Sequence, residues 1–156
     1  MALKPDTSAG VVAPPPLIFL VGLALGFGLE ALAPGADVPA AVRYLLGPLL
    51  LLAGGALNAS FLASFHRAGT RIEPWEPTTA IVTTGAYRFT RNPGYLGMAL
   101  IFAGIALLAG ALWPLATLVP TIAVIDRGVI VREERYLNRQ FGAEYAAYRA
   151  RVRRWF

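Results

Sequence analysis

The chain has 156 residues, 56% of them hydrophobic and 15% charged, with no cysteine, one histidine (His66) and a net charge of +5. These values exclude disulfides and thiolate chemistry, and they leave no ligand set for a Cys/His metal site, so no metal is expected. The positive charges flank long apolar runs instead of covering a soluble scaffold, which points to a membrane protein and away from nucleic acid.

Residues 1–16 are a polar lead-in carrying Lys4 and ending in Pro14-Pro15-Pro16. A first span is predicted over Leu17–Ala33. Ala31-Leu32-Ala33 imitates a signal-cleavage site, but a weak basic start and the following Pro34 favour a retained helix. A short loop, Pro34 to Pro39, reverses the chain. The second span is predicted over Tyr44–Phe65, with Gly47, Gly54 and Gly55 allowing a neighbouring helix to come close. His66 to Gly94 is too irregular and charged to cross a bilayer.

A third span over Tyr95–Trp113 and a fourth over Leu115–Val131 form a tight hairpin turning at Trp113-Pro114. Each span has a length suited to about 30 Å of hydrocarbon. Residues 132–156 read as a helical tail on the membrane surface, with seven Arg among Phe141, Tyr145, Tyr148, Trp155 and Phe156. The expected fold is therefore an all-α polytopic membrane protein of about four transmembrane helices, forming one domain over 1–156. Four Arg in 66–94 and seven in 132–156, against Arg43 alone in the first loop, put those segments and both termini in the cytoplasm. The membrane is then the inner one.

Asp126 and Arg127 interrupt the fourth span, at about 2.5–3.5 kcal/mol each on insertion scales. Neighbours in a helix point apart, so each needs a partner from elsewhere, whether structural or functional. Continuous α-helical spacing puts Asp126, Ile130 and Glu133 on one face and Arg127 with Glu134 on the next. Glu133 and Glu134 are either a solvated helix start offset by Arg132 and Arg135, or anchors for a cationic group. The segment Arg91-Asn92-Pro93-Gly94-Tyr95-Leu96-Gly97 fixes a bend where a membrane helix begins. Its free N–H groups, together with Arg91 and Asn92, can hold an anion, unless it is only a membrane-entering turn.

With these residues in place the chain resembles the isoprenylcysteine carboxyl methyltransferase and phospholipid methyltransferase group of integral membrane enzymes. That group has Arg-His-Pro-x-Tyr-x-Gly before a hydrophobic hairpin and Glu-Glu after it, matched here by Arg91 to Gly97 and by Glu133-Glu134. Gly69-Thr70, Ile81-Val82-Thr83-Thr84-Gly85, Leu137, Phe141-Gly142, Tyr145, Tyr148 and Val152 also follow the pattern, so the likeness spans residues 65–155. It implies S-adenosylmethionine as methyl donor, held by Arg91, Asn92, Pro93, Tyr95, Leu96, Gly97, Glu133 and Glu134. It also implies a lipophilic acceptor from the bilayer, either a phospholipid amine or an isoprenoid or other carboxylate.

Glu134 or Asp126 could take a proton from an amine, and Arg151, in Tyr148-Arg149-Ala150-Arg151-Val152, corresponds to the family arginine that meets a substrate carboxylate. His66, Arg67, Arg71 and Glu73 are candidates for the acceptor's border. Asn92 departs from the family histidine. Two other readings remain open: an NADPH-dependent reductase of the sterol-reductase type, whose dinucleotide phosphates Glu133-Glu134 would repel, and a non-enzymatic scaffold or lipid-binding protein.

Overall fold

A computed structural model describes residues 9–69 and 79–156. Lys4, Thr70, Arg71 and Glu73 lie outside the described residues. The described residues are helical, with no strand among them. Helix α1 is Pro15–Leu32, α2 Ala40–Ala68, α3 Pro93–Ala109 and α4 Leu112–Ile125. A π turn over Asp126–Ile130 joins α4 to α5, Val131–Phe141, and α6 follows over Ala143–Arg151. Three helical stretches are long and apolar enough to cross a membrane: Pro15–Leu32, Ala40–Ala68 and Leu112–Phe141, the last being α4 through α5. The shorter apolar α3 has 17 residues, a length of about 25 Å.

Local chemistry explains the boundaries. Prolines at the first positions of α1 and α3 lack the N–H that a helix start leaves unbonded. Gly110, at φ 72°, ends α3 in the left-handed region that glycine tolerates. Trp113 thus belongs to the first turn of α4, not to the end of the third span. There its indole N–H donates to the Ala33 carbonyl at 2.6 Å, while Glu30 accepts the Trp113 backbone N–H at 3.0 Å. A carboxylate at a helix N-terminus satisfies its free N–H groups and complements its dipole.

The helices pair as α1 with α4 and α2 with α3, and α3 joins the two pairs. Lipid tails are as apolar as leucine, so close approach and van der Waals packing hold such pairs together. Gly47 faces Leu108 and Gly104 of α3, and Gly54 faces Gly97 and Ile101, whereas Gly55 meets nothing. Gly22 and Gly26 do the same for α1 against Thr121, Pro114 and Thr117 of α4. Phe19, Ala99, Phe102, Ile125, Val129 and Ile130 form the buried centre, with Trp155 packed against it.

The tail differs most from expectation. The fourth helix does not stop at Val131 but runs on to Phe141 through the π turn. The Val131 amide there donates to the Asp126 carbonyl, five residues back. Gly142, at φ 51°, then breaks the chain into α6.

Candidate functional site

The start of α3 is held by the far end of the chain. The Arg91 amide donates to the Arg153 carbonyl at 2.9 Å, and Thr90 Oγ1 and Asn92 Nδ2 donate to the Arg154 carbonyl at 3.0 and 2.9 Å. The Asn92 amide donates to Thr90 Oγ1 at 3.2 Å. The backbone amides of residues 91 and 92 are therefore occupied. What Asn92 contributes is a side-chain N–H donor to the tail.

Below this junction lies a chain of charges. Arg154 donates through Nε and Nη2 to the two oxygens of Glu134, at 3.1 and 2.7 Å, and through Nη1 to Asp126 at 3.2 Å. Trp155 Nε1 donates to Asp126 at 3.2 Å. Arg91 Nη2 meets Glu134 at 3.2 Å, with both side chains about nine-tenths buried. Two of the Arg91 nitrogens, Nε and Nη1, are buried with no hydrogen-bond partner among the described residues. Such groups cost about 1–3 kcal/mol when left unmatched.

The π turn explains this pairing. Asp126 and Glu134 are eight residues apart, which in an unbroken α-helix leaves them about 80° apart. One residue absorbed in the π turn makes the interval act as seven, or about 20°. Asp126 therefore shares a face with Glu134 and not with Glu133. Glu133 instead accepts the Tyr95 hydroxyl at 2.6 Å.

Arg91, Asn92, Tyr95, Glu133 and Glu134 line one cavity of about 120 Å³. Its aromatic wall contains Phe61, Phe65 and Tyr87, with ring centroids 5.0–6.4 Å apart. Tyr87 is placed by the short 3₁₀ turn Gly85–Arg88, which docks on α2 where the Ala86 amide donates to Ser60 Oγ at 3.0 Å. Tyr145 and Tyr148 close the floor from α6, and the Tyr148 hydroxyl donates to the Tyr87 carbonyl at 2.8 Å. Burial raises both phenols above their ordinary pKa, so both stay protonated at physiological pH. Hydrogen bonding to Glu134 is the main cause that raises Arg154.

The other sequence candidates fall elsewhere. Pro93 is buried at the first turn of α3, Leu96 is half-buried outside the cavity lining, and Gly97 packs against Gly54 and Asn58 of α2. Arg151 is exposed and donates to the Ala147 carbonyl of its own helix, away from the cavity. His66 and Arg67 sit in the last turn of α2, outside the lining. Arg154, Phe61 and Tyr87 carry weight that the sequence reading did not give them. For Arg154 the signal was indirect: Asp126 needed a partner, and the tail offered several arginines.

The phospholipid methyltransferase family matches residues 42–144, a range that includes Arg91 to Gly97 and Glu133-Glu134. An uncharacterised protein of Haemophilus influenzae is 39% identical over 61 residues, covering 39% of this chain and 97% of that protein. No solved structure matches. With two-thirds of its length matched and its apolar helices arranged around the motif residues, the chain belongs to the phospholipid methyltransferase family of membrane proteins.

Proposed function

We propose that this membrane methyltransferase moves a methyl group from S-adenosylmethionine to the amine of a lipophilic acceptor, at the cytoplasmic face of the inner membrane. The observation that carries the donor assignment is the pairing, in one cavity, of unmatched buried Arg91 nitrogens with the Glu133 carboxylate. A donor with a carboxylate at one end and positive charge beside it is complementary to both groups. About 120 Å³ is less than the roughly 300 Å³ at which whole-ligand pockets begin. The cavity thus suits the charged head of the donor rather than its entire length.

S-adenosylmethionine, when bound, supplies a methyl group on a positively charged sulfur. Arg91 binds the carboxylate, and Glu134, itself neutralised by Arg91 and Arg154, keeps the guanidinium in place. Glu133 offers its charge to the cation, and the faces of Phe61, Phe65 and Tyr87 add attraction while excluding water. Asn92, Pro93 and Tyr95 hold the start of α3 in position. Leu96 and Gly97 serve by packing.

The same charges favour an amine over a carboxylate acceptor. Arg154 is engaged by Glu134 and Asp126, and Arg151 lies outside, so no second guanidinium in the lining awaits a carboxylate. An amine must lose a proton before it attacks; with Glu134 and Asp126 held by Arg154 and Glu133 committed to the donor's cation, that proton passes to water.

Calorimetric titration of the detergent-purified chain tests the donor assignment. S-adenosylmethionine should bind and NADPH should not, and Arg91→Gln should weaken the former by about 1.5–3 kcal/mol. Binding of NADPH alone would make the protein a reductase, and binding of neither would make it a scaffold. When labelled methyl is transferred into membrane lipid extracts, mild alkali should release none of it as volatile methanol, because an N-methyl bond survives even where the lipid's acyl esters are cleaved. An alkali-labile label, a methyl ester, would overturn the amine.

A further inference from the structure

The π turn that aligns Asp126 with Glu134 also aligns a second row of side chains, one that the cavity does not use. Arg127, Arg132, Arg135 and Arg139 are separated by five, three and four residues. With one residue absorbed in the π turn these intervals act as four, three and four, the spacing of a single helical face. All four are exposed and line a groove of about 490 Å³ whose other wall is Ala9 and Gly10. The Gly10 carbonyl accepts from Arg132 Nη1 at 2.8 Å, which fixes that wall without neutralising the charge. Among the described residues no carboxylate lines the groove. Asp126 and Glu134 turn to Arg154, and Glu133 turns to Tyr95.

We propose that this arginine row binds the phosphate of an anionic membrane phospholipid. A row of solvated charges would need no such alignment and would begin where the apolar helix ends. This one begins inside it: Arg127 follows Ile122-Ala123-Val124-Ile125 by one residue and is followed by Gly128-Val129-Ile130-Val131. A guanidinium at that level extends toward the headgroups, where lipid phosphate is the anion at hand. Planar guanidinium groups in series match phosphate oxygens two at a time. The groove lies on a different face of the helix from the cavity, with Ala9 the residue common to both linings.

The test uses the full chain in phosphatidylcholine nanodiscs doped with phosphatidylglycerol, with retained lipids counted by native mass spectrometry. The native chain should retain phosphatidylglycerol in preference to phosphatidylcholine. The triple variant Arg127→Gln/Arg132→Gln/Arg135→Gln should lose that preference by about tenfold or more. A single exposed change, Arg135→Glu, should lower it too, and covers the case in which the triple variant fails to assemble. Equal retention of the two lipids by the native chain, or undiminished preference in Arg135→Glu, overturns the proposal. Excess inorganic phosphate should leave retention unchanged; displacement by it would mark a site for soluble phosphate and overturn the lipid. None of these readouts depends on the donor or on turnover.

Discussion

Glu133 and Glu134 are adjacent in the chain and do different things, because successive helical residues point about 100° apart. Glu133 faces the cavity with one hydrogen bond from Tyr95, whereas both oxygens of Glu134 are taken by guanidinium groups. Glu133→Gln keeps an acceptor for Tyr95 and removes the charge. It should weaken donor binding by about 1.5–3 kcal/mol with the unfolding midpoint nearly unchanged. Glu134→Gln should do the reverse first: it leaves Arg91 buried beside a neutral amide and should lower stability by about 1.5–3 kcal/mol. Thermal unfolding and donor titration on both variants check the split, and equal behaviour of the two would refute it. The sequence reading placed both carboxylates at the site but could not divide their roles, since the division depends on where Arg154 arrives from. It also left open whether Asn92 could stand for the family histidine. The structure uses an N–H donor at that position, which either side chain can supply.

Tyr148 brings pH into the same scale. Burial raises its phenol above the ordinary value of 10.0, so the folded state favours the protonated form. That contribution is complete below the unfolded value and is lost as pH rises beyond about 10. Tyr148→Phe should therefore flatten the alkaline fall in stability. At neutral pH it should cost about 0.5–1.5 kcal/mol for the hydrogen bond to the Tyr87 carbonyl. Unfolding midpoints of both proteins from neutral to alkaline pH provide the check.

Among the elements, the π turn decides the chemistry. Removing one residue from it, for example Val129, should restore plain α-helical winding. The interval from Asp126 to Glu134 would then be seven true α-helical residues, so Glu134 should stay beside Asp126 and Glu133 beside Tyr95. The shortened chain should still insert and keep donor binding, whereas removing Gly128 as well should rotate all that follows by about 100° and abolish it; retained binding after the double deletion would show that the register is immaterial. Span count, the loop before the second span and the close α3–α4 hairpin were legible because length, hydropathy and glycine or proline punctuation are local signals. The π turn was not legible, because Asp126–Ile130 fits an α-helix as well by composition. The pairing of Gly22 and Gly26 with α4 was likewise hidden, since small residues show that an approach is possible and not which helix makes it.

For the whole molecule, the arginine distribution predicts that both termini are cytoplasmic. Reporter fusions active only in the cytoplasm should work at either end, and a periplasmic signal from the C-terminus would invert the site's proposed face. The tail's return to the start of α3, with Arg154 bonding to Asn92 and Thr90 more than sixty residues away, could not be read from spacing. Contacts of that separation depend on how all the helices pack. Candidate residues on both sides of the hairpin were visible in the sequence; the strap that joins them was not.

The helix that runs from Leu112 through the π turn to Phe141 has a mechanical consequence. Its 30 residues span about 45 Å, so the charged stretch after Val131 stands beyond a hydrocarbon layer of about 30 Å. One end is tethered to α1 through Trp113 and Glu30, while the other carries both glutamates. A rod of that length meets a thinner bilayer by leaning further over, and the lean displaces its far end most. Acyl-chain length in the surrounding membrane thus acts as a setting on how deep the cavity beside the two glutamates lies.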